Sequence, residues 1–371
     1  MLLTAPEACE TWIGVGSTDM TDTPKLLDDL LRVPAPSGYE APASAVWRKA
    51  ASEFADVRSD GIGSSIAMVG DDEAQPLLAI AGHMDEIGLV VTHIDDKGFV
   101  WFGAIGGWDP QILVGQRVEV VTKAGPVAGV AGRKPIHLLE EEQRKKVVEL
   151  KQLHIDIGAE DGDAARELVR IGDPAVIRGE PMRVQGSRLV SRSMDNRLGS
   201  YVALEVARRC ALSDKVSCRV AGVANTQEEI GLYGARTAAF QLEPTLAVAV
   251  DVTHATDAPG IDENQEGSHH LGTGPVITRG STLSPVVFDL LVEVASKADV
   301  PHTFSGSGNR TSTDADAIQI TRSGIPAGLV SIPLRYMHSP VEMVDLEDVE
   351  STVSLLVAFA ESLGPDLDLS R

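Results

Sequence analysis

Seven residues of this chain have the types and placement to hold cations and move protons: His83, Asp85, Asp195, Glu228, Glu229, Asp251 and His338. Each also has a plainer reading. A lone His83 reads as a hydrogen-bonded core histidine, but the His-x-Asp spacing lets Asp85 orient the imidazole so that its other nitrogen faces a metal. Asp195, within SRSMDNRLG, reads singly as a helix N-cap. Glu228–Glu229 read singly as a solvated acidic turn, and His338 as an ordinary loop residue. Glu228, Glu229 and Asp251, however, each come off an apolar run. Carboxylates placed there carry a desolvation cost unless cations compensate it.

Charge favours two ions. Three ligating carboxylates (Asp195, Glu229 and Asp251) plus a bridging hydroxide balance two divalent cations, and His83 and His338 complete the set as neutral imidazoles. Mixed nitrogen and oxygen ligation suits Zn²⁺, Co²⁺ or Mn²⁺ better than Ca²⁺ or Mg²⁺. Two such ions about 3.5–4 Å apart can share a carboxylate, polarise a carbonyl and generate hydroxide near neutral pH.

The elements that must position these groups are apolar runs ending in polar residues: LLAIAGHMDE (77–86), SCRVAGVANTQEE (217–229), TLAVAVDVTHA (245–255) and AGLVSIPLRYMHS (327–339). Continuous apolar runs suit strands buried on both faces, and ligands of open α/β sheets bind outside the carboxyl ends of the strands. Helices are expected from Pro24 to Val33, from Ala43 to Phe54 and from Asn196 to Leu212. Another is expected after Ser284-Pro285 through Asp299, and a last one capped by Asp345. Strands alternating with helices imply an α/β layered sheet. Residues 88–180 differ, with short Val- and Gly-rich pieces and frequent turns that read as a small barrel or sandwich inserted into the α/β domain. The expected division is 19–87 plus 181–371 for the α/β domain, 88–180 for the insert and 1–18 for an N-terminal extension.

Bulk properties narrow the class. The formal net charge of −22, spread along the chain, disfavours nucleic acid as a partner. No apolar run reaches the roughly 18–20 residues of a membrane span. The first residues lack a signal-peptide pattern, so a cytoplasmic enzyme is expected. Cys9, Cys210 and Cys218 have no metal-like spacing and read as buried or incidental thiols. His269 and His270 read as loop residues.

Nine stretches resemble the M42 metallo-aminopeptidases, also called the tetrahedral aminopeptidase, glutamyl aminopeptidase or cellulase M family. They are PSGYE (36–40), GHMDEIG (82–88), GRKPIHLL (132–139), LHIDIGA (153–159), SMDNRLG (193–199), TQEEIGLYGA (226–235), AVDVTHATDAPG (249–260), STDADAIQI (312–320) and PLRYMHSPVEMVDLEDV (333–349). The resemblance runs from about residue 20 to the C-terminus. It implies a zinc-exopeptidase-like fold, with a central mixed sheet flanked by helices and an inserted barrel-like domain. It also implies that Asp195 bridges two metals, that His83 and Asp251 complete one, and that Glu229 and His338 complete the other. Glu228 would be the general base, Asp85 the group that orients His83, and Asp195-Asn196 a cis peptide. The insert would mediate assembly, built from dimers, into a hollow tetrahedral dodecamer that admits peptides and unfolded segments.

Two stretches depart from the pattern. The first 18 residues have no match, and FSGSGNRTSTDADA (304–317) follows the family's Gly-rich pattern only in part, in a place where it could shape substrate binding. An N-acyl amino acid deacylase would use the same metal chemistry. A glucanase fits less well. Its two carboxylates stand about 5–9.5 Å apart across the bond, whereas Glu228 and Glu229 are adjacent, and the histidines would have no task.

Overall fold

The structure, a computed structural model, describes residues 23–370. The expectations for residues 1–18 and for Cys9 lie outside them. The main sheet has eight strands. From edge to edge they are Asp56–Ser59, Ser65–Val69, Arg219–Asn225, Leu77–His83, Leu246–His254, Ala327–Leu334, Val276–Gly280 and Thr303–Ser307. The four apolar runs read from the sequence are the four central neighbours, and all three pairings among them are parallel. Antiparallel pairings flank them on both sides, so the sheet is mixed.

Every residue of Leu77–His83 and of Ala327–Leu334 is buried, because helices cover both faces. Large side chains such as Leu78, Ile80, Val248 and Val330 face one side. There they pack with Leu198 and Val202 of the helix Met194–Leu212 and with Phe359 of the helix Leu346–Ser362. Small ones, Ala79, Ala81 and Ala247, face the other side, against Ala235 and Ala239 of the helix Tyr233–Leu242 and Ile318 of the helix Asp314–Ile318.

Two glycines set how closely the helix after Asp195 approaches the sheet. A Cβ on Gly82 would lie 2.3 Å from the carbonyl carbon of Gly199, and one on Gly199 would lie 2.4 Å from the Val250 oxygen. Both are closer than real Cβ contacts come, so only glycine allows this packing. It brings the start of the helix directly over the carboxyl ends of the central strands.

That helix starts differently from the expectation. It begins at Met194, but Asp195 (φ −79°, ψ 103°) and Asn196 (φ −127°, ψ 49°) are not helical. The peptide between them is cis, as the resemblance implies. The capping residue is Asn196, whose Oδ1 accepts from the Gly199 N–H at 2.8 Å while its Nδ2 donates to Val250 O at 2.8 Å. The N-cap reading of Asp195 therefore fails, and its carboxylate is free to face elsewhere. Other boundaries shift by a few residues: the helix expected from Ala43 to Phe54 is Ala41–Ala51, and the one after Ser284 ends at Lys297.

Between Gly88 and Ile177 the chain forms a closed six-stranded barrel in which every recorded pairing is antiparallel. It has its own core, including Leu89, Val100, Val118, Val120 and Ile155. A small sheet of Met182–Arg183, Arg188–Ser191 and Glu342–Asp345 places Glu342 opposite Ser191, close to Asp195 in the chain. Cys210 and Cys218 are buried and form no disulfide, and burial pushes their thiols up to about 12 and about 11. No helix among the described residues is long and apolar enough to cross a membrane.

Candidate active site

His83 is the last residue of its strand, and Glu228–Glu229 follow the strand end at Asn225 by a short turn. His338 lies four residues past Leu334, in a left-handed conformation with φ 59°. Asp251 is not at a strand end, because its strand continues to His254. It reaches the site because the ladder to the His83 strand opens beyond the Ala249–Ala81 pair. In the same register Asp251 would stand opposite His83, in the crevice so made.

The structure brings all seven sequence-predicted residues together. His83 Nε2 lies 3.1 Å from Asp195 Oδ1, 3.6 Å from Glu228 Oε2 and 3.9 Å from Asp251 Oδ1. His338 Nε2 lies 3.3 Å from Asp195 Oδ2 and 3.3 Å from Glu229 Oε1. The two oxygens of Asp195 thus face two different imidazoles. Ligand atoms of His83, Asp195 and Asp251 lie within 4.8 Å of one another, as do those of Asp195, Glu229 and His338. A third grouping, His83 with Glu228 and Glu229, meets the same limit.

The other ring nitrogens are already engaged. His83 Nδ1 is 3.2 Å from the Asp85 carbonyl and 3.5 Å from Asp85 Oδ1. His338 Nδ1 is 2.8 Å from the Gly107 carbonyl. A nitrogen that donates to a carbonyl leaves the opposite nitrogen with a lone pair. Both Nε2 atoms would then aim lone pairs at carboxylate oxygens, acceptor against acceptor. Such a contact needs a proton or a cation between the partners. With protons alone, burial opposes charge on His338, but bonding to Asp195 and Glu229 outweighs it and raises the ring to about 11. Burial and neighbouring carboxylates push Glu228 up to about 10 and Asp251 well above the usual range. Glu229 Oε1 is buried with no well-aligned donor, although His338 Nε2 is near. The donor set therefore fits divalent cations, and Asp195 belongs to two of the groupings that could hold one.

Asp85 has more tasks than its spacing from His83 suggests. Its carboxylate accepts the Ser37 hydroxyl, the Glu228 N–H at 3.1 Å and the Glu229 N–H at 3.2 Å. Sequence reasoning missed four supporting groups. Glu40 accepts the Gln227 N–H at 3.0 Å, and burial followed by the Asp85 charge raises it to about 7. Glu342 accepts the Met194 N–H at 2.7 Å and the His338 N–H at 2.9 Å, so one buried carboxylate pins the backbone at both ends of the pair. Asp314 accepts from Asn225 Nδ2 at 2.8 Å behind the site. Arg197, fully buried, donates to Met84 O, Leu30 O and Glu86, and so ties the Asp195 helix to the loop after His83. All four lie within the quoted motifs, and for Glu40 and Glu342 a charged residue amid apolar neighbours was the available signal. His269 and His270 are loop residues and belong to none of these groupings.

The M42 glutamyl aminopeptidase family model matches residues 63–355. The chain is 34% identical to the lysyl aminopeptidase of Pyrococcus furiosus over 350 residues, covering 92% of this chain and 97% of that protein. Among solved structures, the TET aminopeptidase of a marine sediment Thaumarchaeota archaeon superposes with a TM-score of 0.88 at 32% identity, covering 92% of this chain and 96% of that one. The Pyrococcus horikoshii TET1 peptidase, which can assemble into a tetrahedron or a large octahedral shell, gives 0.80 at 33%, covering 91% and 99%. With the fold and the cluster at its strand ends, these likenesses define an aminopeptidase, an enzyme that hydrolyses peptide bonds. The chain belongs to the M42 family, whose peptidases are metal-dependent.

Proposed function

We propose that this chain removes N-terminal residues from peptides with two divalent cations per subunit. His83, Asp195 and Asp251 hold one, and Asp195, Glu229 and His338 hold the other. The observation that carries this reading is Asp195, whose two carboxylate oxygens face His83 and His338 at 3.1 Å and 3.3 Å. Zn²⁺, Co²⁺ and Mn²⁺ suit this ligand set and, when bound, polarise a carbonyl and acidify water.

The remaining steps belong to side chains of the chain. Glu228 takes the proton of the attacking water and passes it to the leaving amine. The Asp85 carboxylate, holding the Glu228 and Glu229 N–H groups, fixes the base relative to the ligand beside it. The Asp85 carbonyl and the Gly107 carbonyl orient the two imidazoles.

The test strips the protein with a chelator and reloads it with Zn²⁺, Co²⁺ or Mn²⁺, against a panel of aminoacyl and N-acyl substrates. Stripping should abolish aminoacyl hydrolysis, reloading should restore it, and metal analysis should return two ions per subunit. Chelator-resistant turnover, a single ion, or cleavage of N-acyl amino acids alone would overturn the reading.

Residues 88–180 serve as the assembly unit of a homo-oligomer, built from dimers into a tetrahedral dodecamer. Apolar side chains exposed there support this, with Ile136 at 59%, Leu138 at 65% and Val147 at 62% exposure. So does the assembly of the related horikoshii peptidase. Light scattering of the purified protein should report a particle of many subunits, and a fully active monomer would count against the assembly.

A further inference from the structure

Each oxygen of the Glu342 carboxylate holds a different ligand segment. Its Oε2 accepts the Met194 N–H at 2.7 Å and the Asp195 N–H at 3.3 Å, and its Oε1 accepts the His338 N–H at 2.9 Å. Glu342 is 2% exposed, and among the described residues no cationic side chain bonds or pairs with it. A buried carboxylate is costly unless its oxygens are bonded. Here every partner is a backbone N–H of a candidate ligand or of its neighbour. A cavity of about 20 Å³ adjoins Asp195, His338 and Glu342, with space for about one water molecule. The two ligand segments are thus joined through this side chain and not through a pool of solvent.

The surrounding backbone explains why a pin is needed there. Tyr336 and His338 are both left-handed, with φ 62° and 59°, a conformation that residues other than glycine keep only where neighbours enforce it. Arg335 and Met343 exchange two N–H···O bonds of 3.0 Å and close the neck of the loop between them. Glu342 stands at that neck and reaches back across the loop to His338. Its own strand, Glu342–Asp345, pairs with Arg188–Ser191, which leads into Asp195.

The other candidate ligands have ties of their own. Asn196 Nδ2 donates to the Val250 carbonyl at 2.8 Å and so fastens the Asp195 segment to the strand of Asp251. The Asp85 carbonyl meets the His83 ring, and the Asp85 carboxylate accepts the Glu229 N–H. His338 is held by Glu342 at its backbone and by the Gly107 carbonyl at its ring.

We infer that Glu342 is a positioning residue that fixes Asp195 relative to His338 and thereby sets the affinity of one ion, that of Asp195, Glu229 and His338, while the ion of His83, Asp195 and Asp251 is indifferent to it. The inference rests on the two-metal reading above. In Glu342→Gln one acceptor oxygen becomes an amide NH₂, which must face either the Met194 N–H or the His338 N–H, donor against donor. One end of the pair is then released.

The test is a mutant cycle on the full-length protein with Zn²⁺ as the probe. Competition with a chelating dye reads its affinity, and metal analysis reads its stoichiometry. Asp251→Ala keeps the His338 ion, and Glu229→Ala keeps the His83 ion. Adding Glu342→Gln should weaken Zn²⁺ binding about 10–100-fold in the first background, the range for groups that orient a ligand, and leave it unchanged in the second. A general loosening of the fold would weaken both alike. Glu342→Asp keeps the charge but is too short to reach both ends, so it should give the same selective loss, and it serves where Glu342→Gln does not fold. Equal weakening in the two backgrounds, none in either, or weakening confined to the second overturns the role of Glu342 and leaves the two-metal reading standing. Wild-type protein that binds a single ion overturns both.

Discussion

Glu228→Gln is expected to keep the fold and both metal ions and to lower kcat by about 10²–10⁴-fold, the usual contribution of a positioned base. The substitution keeps the shape of the side chain and removes its capacity to take a proton. Its outcome also separates two roles that distance leaves close together. Glu228 Oε2 is 3.6 Å from His83 Nε2, and with Glu229 it forms one of the compact groupings able to hold an ion. As a base, Glu228 gives a variant with two ions per subunit and slow turnover. As a ligand, it gives a variant that has lost metal. Near wild-type turnover with full metal would remove it from both roles.

The second large effect is expected at Asp195. Asp195→Ala leaves one proposed site with His83 and Asp251 and the other with Glu229 and His338, two protein ligands each. Partners that only orient a ligand change metal affinity by about 10–100-fold, so loss of a shared ligand should cost both ions at least about 100-fold in affinity, with activity falling below detection. Asp251→Ala, by contrast, should release one ion and retain the other. The helix should survive in Asp195→Ala, because Asn196 provides its cap, and unchanged circular dichroism would establish that. An Asp195→Ala protein that still holds two tightly bound ions would exclude the bridging role.

The parts of this architecture visible in the sequence are those dictated by local chemistry. Four apolar runs, each followed by His, Asp or Glu, read as strands delivering ligands to one edge. They are the four adjacent parallel strands of the sheet. The inserted barrel was visible as a change in period and turn frequency. What was hidden depends on partners distant in the chain. Glu342 acts on backbone N–H groups 148 and 147 residues away, and Glu40 on one 187 residues away, so no spacing rule relates them. Asp251 was expected at a strand end and sits within a strand, because the opening of one ladder beyond Ala249 is a tertiary event. Asp195 carried the residue type of an N-cap, but the cap passed to its neighbour when the backbone broke at that point.

The hydrogen bond from His338 to the Gly107 carbonyl joins two bodies with separate cores, since Gly107 follows the barrel strand Phe99–Ile105. If His338 holds an ion as proposed, that ion would sense the seating of the barrel, and by thermodynamic reciprocity the barrel would sense the ion. Whatever fixed the barrel, neighbouring subunits of the proposed assembly included, would then tighten or loosen that ion by the same free energy with which the ion favoured the fixed barrel. The quaternary structure would then act as an allosteric effector of the catalytic centre, and the metal as an effector of quaternary structure.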